Sequence, residues 1–281
     1  MLGNDPGRRS RLLSVPSGPA RNVSIAVMST VFVVAVIVVA VVNSPGWERV
    51  KSSFFDSAEA RAALPLVARA FVLNIKMFCI AEVLVLAFAL LLAVVRSLPG
   101  PVFFPLRLMV IVYTDFFRGV PTILVVYVLG FGMPGLELTG VPTSTVFWGI
   151  VSLVLVYSAY VAEVYRAGIE SVHPSQEAAA RSLGLSRGQT LRYVVVPQAV
   201  RRVIPPLLND FIGLQKDTAL VSVLGSVEAL QQANINSAAD FNYTPYLVAA
   251  FFFVLLTIPL ARFTDWLIAR ERGQRQSGGL V

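Results

Sequence analysis

Long runs without charge leave this chain few folds to choose from. Residues 25–42 are eighteen in a row with no ionisable side chain, almost all Val, Ala and Ile. About 20 such residues in a helix cross the roughly 30 Å hydrocarbon layer of a bilayer. Residues 68–95, 106–132, 143–165 and 243–268 are also long and mostly apolar. The whole 281-residue chain is 56% hydrophobic and 14% charged, against about 45–50% and about 25% in soluble domains. An ordinary soluble enzyme is excluded, and so is a disordered chain. The single cysteine, Cys79, falls inside an apolar run. It is expected to be a small buried hydrophobe, and no disulfide framework exists.

The formal charge of +7 has a simpler source than nucleic acid. Basic loops gather on the cytoplasmic side of membrane proteins. The stretch at 204–227 is doubtful by hydropathy, since it holds Asn209, Asp210, Gln215, Lys216, Asp217 and Thr218. Counting it gives six spans with both termini on one side. That side then carries fifteen arginines, in the tails and in the segments around Arg96, Arg107 and Arg166 to Arg202. The other side carries only Arg49, Lys51 and Arg61. The positive-inside rule therefore favours six spans and makes both termini cytoplasmic. Residues 25–42 are read as an uncleaved first span, because twenty-four residues precede it and no A-x-A site follows. Residues 1–24 read as a basic cytoplasmic tail and 271–281 as a second one. Residues 43–67, 132–142 and 228–242 read as outer loops.

The long inner segment, 166–202, is polar but clearly punctuated. Ser175 follows Pro174 and is expected to cap a helix, with Gln176 and Glu177 at its positive end. Ala178, Ala179 and Ala180 favour helix, and Gly184 suits the C′ position. Ser186 is placed to cap a second helix running toward Pro197. A helix-turn-helix held outside the membrane is expected, and shape alone does not separate a functional loop from a connector.

Gly184 followed thirteen residues later by Pro197 resembles the "EAA" loop of bacterial ABC-importer membrane subunits. The signature's alanines fall on Ala179 and Ala180. Its glutamate position falls on Ala178, with Glu177 one residue earlier, which is a departure. Four further segments are similar to the polar amino acid branch, the histidine/glutamine permease type. These are Phe117-Arg118-Gly119-Val120-Pro121-Thr122, the run from Ala159-Tyr160 through Glu163 to Arg166, Pro197-Gln198-Ala199-Val200-Arg201 and Lys216-Asp217-Thr218-Ala219-Leu220. The resemblance covers residues 66–270 and leaves the first span outside as an extra helix on a five-helix core.

The apolar runs and the loop charge together read as an all-α, polytopic integral membrane protein of six helices, with a cytoplasmic helical coupling loop over 166–202. The resemblance implies the permease subunit of an ATP-driven importer of polar amino acids in the bacterial inner or plasma membrane. Such a subunit pairs with a second permease subunit, with ABC ATPase subunits and with an extracytoplasmic solute-binding protein. ATP and Mg belong to the partner subunits, with no cofactor bound by this chain. Coupling to the ATPase falls on Gln176, Glu177, Ala178, Ala179, Ala180, Arg181, Leu183 and Gly184. The transport mechanism implied is alternating access.

Charges within spans are costly, about 2.5–3.5 kcal/mol each on insertion scales. Glu82, Lys216, Asp217 and Thr218 are candidates for a solute path. Lys216 and Asp217 are alternatively held by charges on other spans, because neighbours on a helix do not face each other. Asp115 with Arg118, and Glu163 with Arg166, are spaced i,i+3 and read as structural or rim pairs. His173, the only histidine, has no nearby Cys or His for a metal site. G-x-x-x-x-G-K-[ST], H-E-x-x-H and G-x-S-x-G are all absent from the sequence, so catalysis in this chain is disfavoured. The alternative is an ion-driven secondary transporter using Glu82, Glu163 or Asp217. Its usual fingerprint, inverted repeats with broken helices in both halves, is not found.

Overall fold

The computed structural model describes residues 19–277, with side chains from 22 to 270. Of the tails expected at 1–24 and 271–281, residues 1–18 and 278–281 lie outside the described residues, and the remainder of each is helix. Every described element is a helix, as a bilayer demands of segments that must satisfy their own backbone groups.

The chain divides into two units, Met1–Phe55 and Asp56–Val281. In the first, α1 (Pro19–Val42) exposes every described side chain. Uniform apolarity costs nothing in lipid, which is as apolar as Val or Leu. A short helix, α2 (Trp47–Phe54), follows, with the Trp47 and Phe55 rings 6.4 Å apart.

The second unit opens on α3 (Ser57–Ser97). Its 41 residues span about 60 Å. The outer loop expected over 43–67 is thus largely helix. The Asp56 side chain caps α3 by accepting from Ala58 N and Glu59 N, and the Ala-rich turns that follow extend it past Pro65. The span expected at 106–132 is not straight. α4 (Phe104–Gly119) and α5 (Thr122–Gly135) meet at 102°. Pro121 lacks an N–H and holds Val120 extended, at φ −96° and ψ 132°, which ends α4.

α6 (Thr145–Glu170) is followed by the inner segment: α7 (Pro174–Ser182) and α8 (Arg187–Thr190). A π turn, Leu191–Val195, joins α8 to α9 (Val196–Asp217), and a 3₁₀ turn, Thr218–Leu224, ends at Gly225 with φ +77°. α10 (Ala229–Asp240) and α11 (Thr244–Ser277) complete the chain. The outer loop expected at 228–242 therefore contains a helix. Four of the described helical stretches are long and apolar enough to cross a membrane alone, and the α4–α5 pair, taken as one bent span, makes five. α9 is too polar to join them by that measure, so the sixth span rests on loop charge.

The core lies between α3, α6 and α9, where Met77, Val85, Leu153, Val156 and Leu214 are fully enclosed. A second cluster, including Ala63, Val67, Ala229 and Ala233, joins the first turns of α3 to α10 and α11. Cys79 is exposed, contrary to expectation. In lipid an apolar side chain gains little from protein burial, so apolarity does not predict which face turns inward. Close helix approach instead needs small residues. A Cβ at Gly168 of α6 would overlap Val203 Cγ1 of α9 and meet the Ala199 carbonyl oxygen at 3.4 Å. Gly168→Ala is expected to destabilise the chain by about 1–3 kcal/mol through overpacking. Scanning fluorimetry of the detergent-solubilised protein measures it.

Candidate functional site

Two places concentrate the polar chemistry. The first is the inner segment. His173, not Ser175, caps α7: its ring Nδ1 accepts from Ser175 N at 3.2 Å. Pro174 then occupies the first turn, where its missing N–H costs nothing. At the other end Gly184 has φ +89°. Its N–H bonds to the Arg181 carbonyl oxygen at 3.0 Å, and Leu185 N–H reaches back to Ala180 O at 3.3 Å. This pair of bonds is a Schellman stop, which requires the left-handed conformation that glycine adopts without strain. Ser186 then starts α8 with a capping box, in which Gln189 N–H reaches the Ser186 hydroxyl and Gln189 Oε1 accepts Ser186 N–H. The helix does not end at Pro197, which sits in the first turn of α9.

Within α7 only Ala180 is buried. Gln176, Glu177, Ala178, Ala179 and Arg181 face outward, and Leu183 is 85% exposed. The loop is tied down from beneath. Gln198 donates to Gln176, Arg202 donates to the Ser171 carbonyl, and Val172, Val195 and Ala199 form a small apolar cluster.

At the same end, Glu163 and Arg166 form the expected pair, and Arg166 also holds Glu170. Arg96 of α3 joins them, 3.1 Å from Glu163. Asp115 and Arg118 do not form an ion pair among the described residues, although their spacing permits one. Arg118 instead lies over the Tyr160 ring, 6.0 Å from its centroid, and its carbonyl accepts the Tyr160 hydroxyl at 3.3 Å. An aromatic face on α6 competes with a carboxylate on the same helix, and both Asp115 and Arg118 remain exposed.

The second place is the polar face between α3, α6 and α9. Glu82 is half-buried and within electrostatic reach of Asp210, whose Oδ2 is enclosed without a hydrogen-bond partner. Asp217, seven residues after Asp210, accepts the Tyr157 hydroxyl at 2.9 Å. Lys216 is exposed and points elsewhere, as adjacent helix positions must. Thr218 departs from its expected position on an open path. It is fully enclosed, donating to Gln215 O at 2.8 Å and accepting from Asn74 Nδ2 at 3.1 Å.

That contact leads to residues that sequence reasoning missed. Asn74 Nδ2 also donates to Glu228 Oε2 at 2.8 Å, and Asn74 Oδ1 accepts Ala229 N–H at 3.0 Å. Glu228 is fully buried and caps α10, accepting from Leu230 N and Gln231 N at 3.0 and 2.8 Å. Burial raises the Glu228 carboxyl pKa, and these donors oppose the shift. Nearby, the Thr257 hydroxyl donates to Gln215 Oε1 at 2.9 Å, joining α11 to α9.

Residues 97–273 match the family model described as binding-protein-dependent transport system inner membrane component. The chain is 36% identical over 195 residues to the "Probable glutamine ABC transporter permease protein GlnM" of Bacillus subtilis, covering 68% of this chain and 88% of that protein. It is 35% identical over 207 residues to the glutamate transport system permease protein GluC of Corynebacterium glutamicum, covering 70% and 90%. A crystal structure of an amino acid ABC transporter with histidines superposes with a TM-score of 0.69 at 29% identity, over 76% of this chain and 98% of that one.

Proposed function

The chain belongs to the family of binding-protein-dependent transport system inner membrane components, and on that premise we propose how it works. It is the membrane-spanning permease subunit of an ATP-driven ABC importer of amino acids. It provides the path, and ATP hydrolysis takes place on separate ATPase subunits that bind ATP and Mg. An extracytoplasmic binding protein delivers solute to the outer face, and a second permease subunit completes the path. The termini and the segment around α7 face the cytoplasm, a reading supported by the fifteen-to-three distribution of basic residues.

The observation that carries the mechanism is α7. It is a short helix, fixed at both ends, tied to α9 from beneath and bare on its outer side. Such a helix fits a cleft on a soluble ATPase. Motion of the ATPase dimer then passes through the Gln198 and Arg202 contacts to α9 and α6, and the spans alternate between outward and inward openings. Glu82, Asp210 and Asp217 give the path an acidic wall suited to an amino acid's ammonium group, and a charge there is affordable only beside water or a partner.

The test is uptake into proteoliposomes holding the full complex. Labelled glutamine, glutamate and histidine are supplied with the binding protein, with and without ATP inside. Uptake is expected only with ATP. Uptake driven by an ion gradient without ATP would establish the secondary-transporter reading instead. Cysteines placed at Ser186 and Gly140 are expected to label from the inside and the outside respectively, and the reverse pattern would overturn the orientation.

A further inference from the structure

Three arginines converge on a cavity of about 400 Å³ where the C-terminal ends of α3 and α6 meet the start of α4. Arg96 comes from the last turn of α3, Arg107 from the first turn of α4 and Arg166 from the end of α6. Two carboxylates answer them. Glu163 bonds Arg96 and Arg166, and Glu170 bonds Arg166 again. Arg107 has no acidic partner among the described residues. Its guanidinium donates to the Leu98 carbonyl at 3.1 Å and the Gly100 carbonyl at 3.0 Å. Two of its five N–H groups are thus used on neutral acceptors, and the positive charge stays uncompensated. A planar guanidinium with free N–H groups suits a phosphate.

The surroundings decide which phosphate. Phe104, Leu108 and Ile111 form the cavity's other wall, and the adjoining turn presents Val102, 82% exposed, and Phe104, 58% exposed. A second, almost wholly apolar cleft of about 200 Å³ starts from the same Ala93, Ser97 and Ile169 and runs between α3, α6 and α9. A soluble anion has no use for that cleft, and an acyl chain fills it. Basic pockets between transmembrane helices at the cytoplasmic side are where anionic headgroups bind.

We propose that the Arg96–Arg107–Arg166 cavity seats the phosphodiester headgroup of an anionic phospholipid, with an acyl chain in the adjoining cleft. The lipid neutralises Arg107 and braces the α3–α4 turn against α6, the helix that leads into α7. The inference rests on the chain spanning a bilayer and not on which solute it carries, so its failure leaves the transport reading intact.

The test uses the purified, delipidated transporter complex. Native mass spectrometry measures binding of phosphatidylglycerol, phosphatidylcholine and inorganic phosphate. Phosphatidylglycerol is expected to bind at least fivefold tighter than phosphatidylcholine. Arg107→Gln is expected to lower that preference about fivefold, the equivalent of about 1 kcal/mol for one basic residue at a membrane surface. Arg192→Gln, which lines neither cavity, is expected to leave it unchanged. Equal binding of the two lipids, or an undiminished preference in Arg107→Gln, overturns the proposal. So does full displacement of the lipid by phosphate, which would make this a soluble-anion site. If Arg107→Gln fails to assemble, the unsubstituted complex decides. Phosphatidylglycerol must protect the amides of Leu98, Gly100, Val102, Phe103 and Phe104 from hydrogen exchange, and no protection overturns the lipid site.

Discussion

Replacing Glu228 with alanine is expected to cost about 3–5 kcal/mol of stability, among the largest single effects available in this chain. The side chain is fully enclosed and serves three donors: Asn74 Nδ2, Leu230 N–H and Gln231 N–H. Removing it leaves Asn74 Nδ2 short of an acceptor in a buried site and uncaps the half-buried Leu230 and Gln231 N–H groups at the start of α10. A hydrogen bond to a charged group contributes about 1.5–3 kcal/mol, and each orphaned buried group costs about 1–3 kcal/mol. Relaxation of α10 recovers part of that, which brings the net loss to the stated range. Glu228→Gln keeps one acceptor oxygen and the side-chain volume, so it should lose less than half as much. Scanning fluorimetry of the solubilised protein compares the two. Equal melting temperatures for Glu228→Ala and the parent chain would show that the network contributes nothing.

The same network shows where sequence reading ended. Asn74 and Glu228 lie 154 positions apart, and no spacing rule connects them. α10 was hidden because Ala229-Leu230-Gln231-Gln232 has no strong apolar pattern. It is held by a cap contributed partly by another helix. The long spans α1, α3, α6 and α11 were legible because lipid rewards apolarity at nearly every position, and that signal is local. The first turns of α3 were lost because Arg61 and Pro65 resemble loop punctuation. The α4–α5 bend left a visible sign in Gly119-Val120-Pro121, but hydropathy runs straight through it and reads one span.

Charges behaved similarly. Glu163 and Arg166 met because both sit on one face, and Arg96 and Glu170 joined them without displacing the pair. Asp115 and Arg118 had the same spacing, and the Tyr160 ring took the arginine. Asp217 found a tyrosine on α6 and not a cation. Spacing establishes which partners are possible within a helix, and packing chooses among helices. Asp210 was not among the residues expected to line a path. It lies two turns before Asp217 on α9, within reach of Glu82, so a helical-face argument places it beside Asp217.

Gly184→Val is expected to remove transport while leaving the spans inserted. The glycine sits at φ +89° with open space around its α-carbon, so the strain is in the backbone and not in a clash with a neighbour. A β-branched residue held there costs about 1–3 kcal/mol. α7 has only nine residues and is marginal alone in water, so it has little reserve to absorb that cost. Losing the stop releases two backbone bonds, Gly184 N–H to Arg181 O and Leu185 N–H to Ala180 O. The docked form of the helix then becomes about 5- to 150-fold rarer, and ATPase affinity falls with it. Gly184→Asn tests the cause, since asparagine enters the left-handed region far more readily than valine. It should keep most ATPase binding. Ala178→Glu lies on the exposed face near the positive end of α7 and should be tolerated. Co-purification of the ATPase, read beside ATP-driven uptake, ranks the three variants. If Gly184→Val keeps its ATPase and transports at the parent rate, α7 is only a connector, and coupling must run through another part of the cytoplasmic surface.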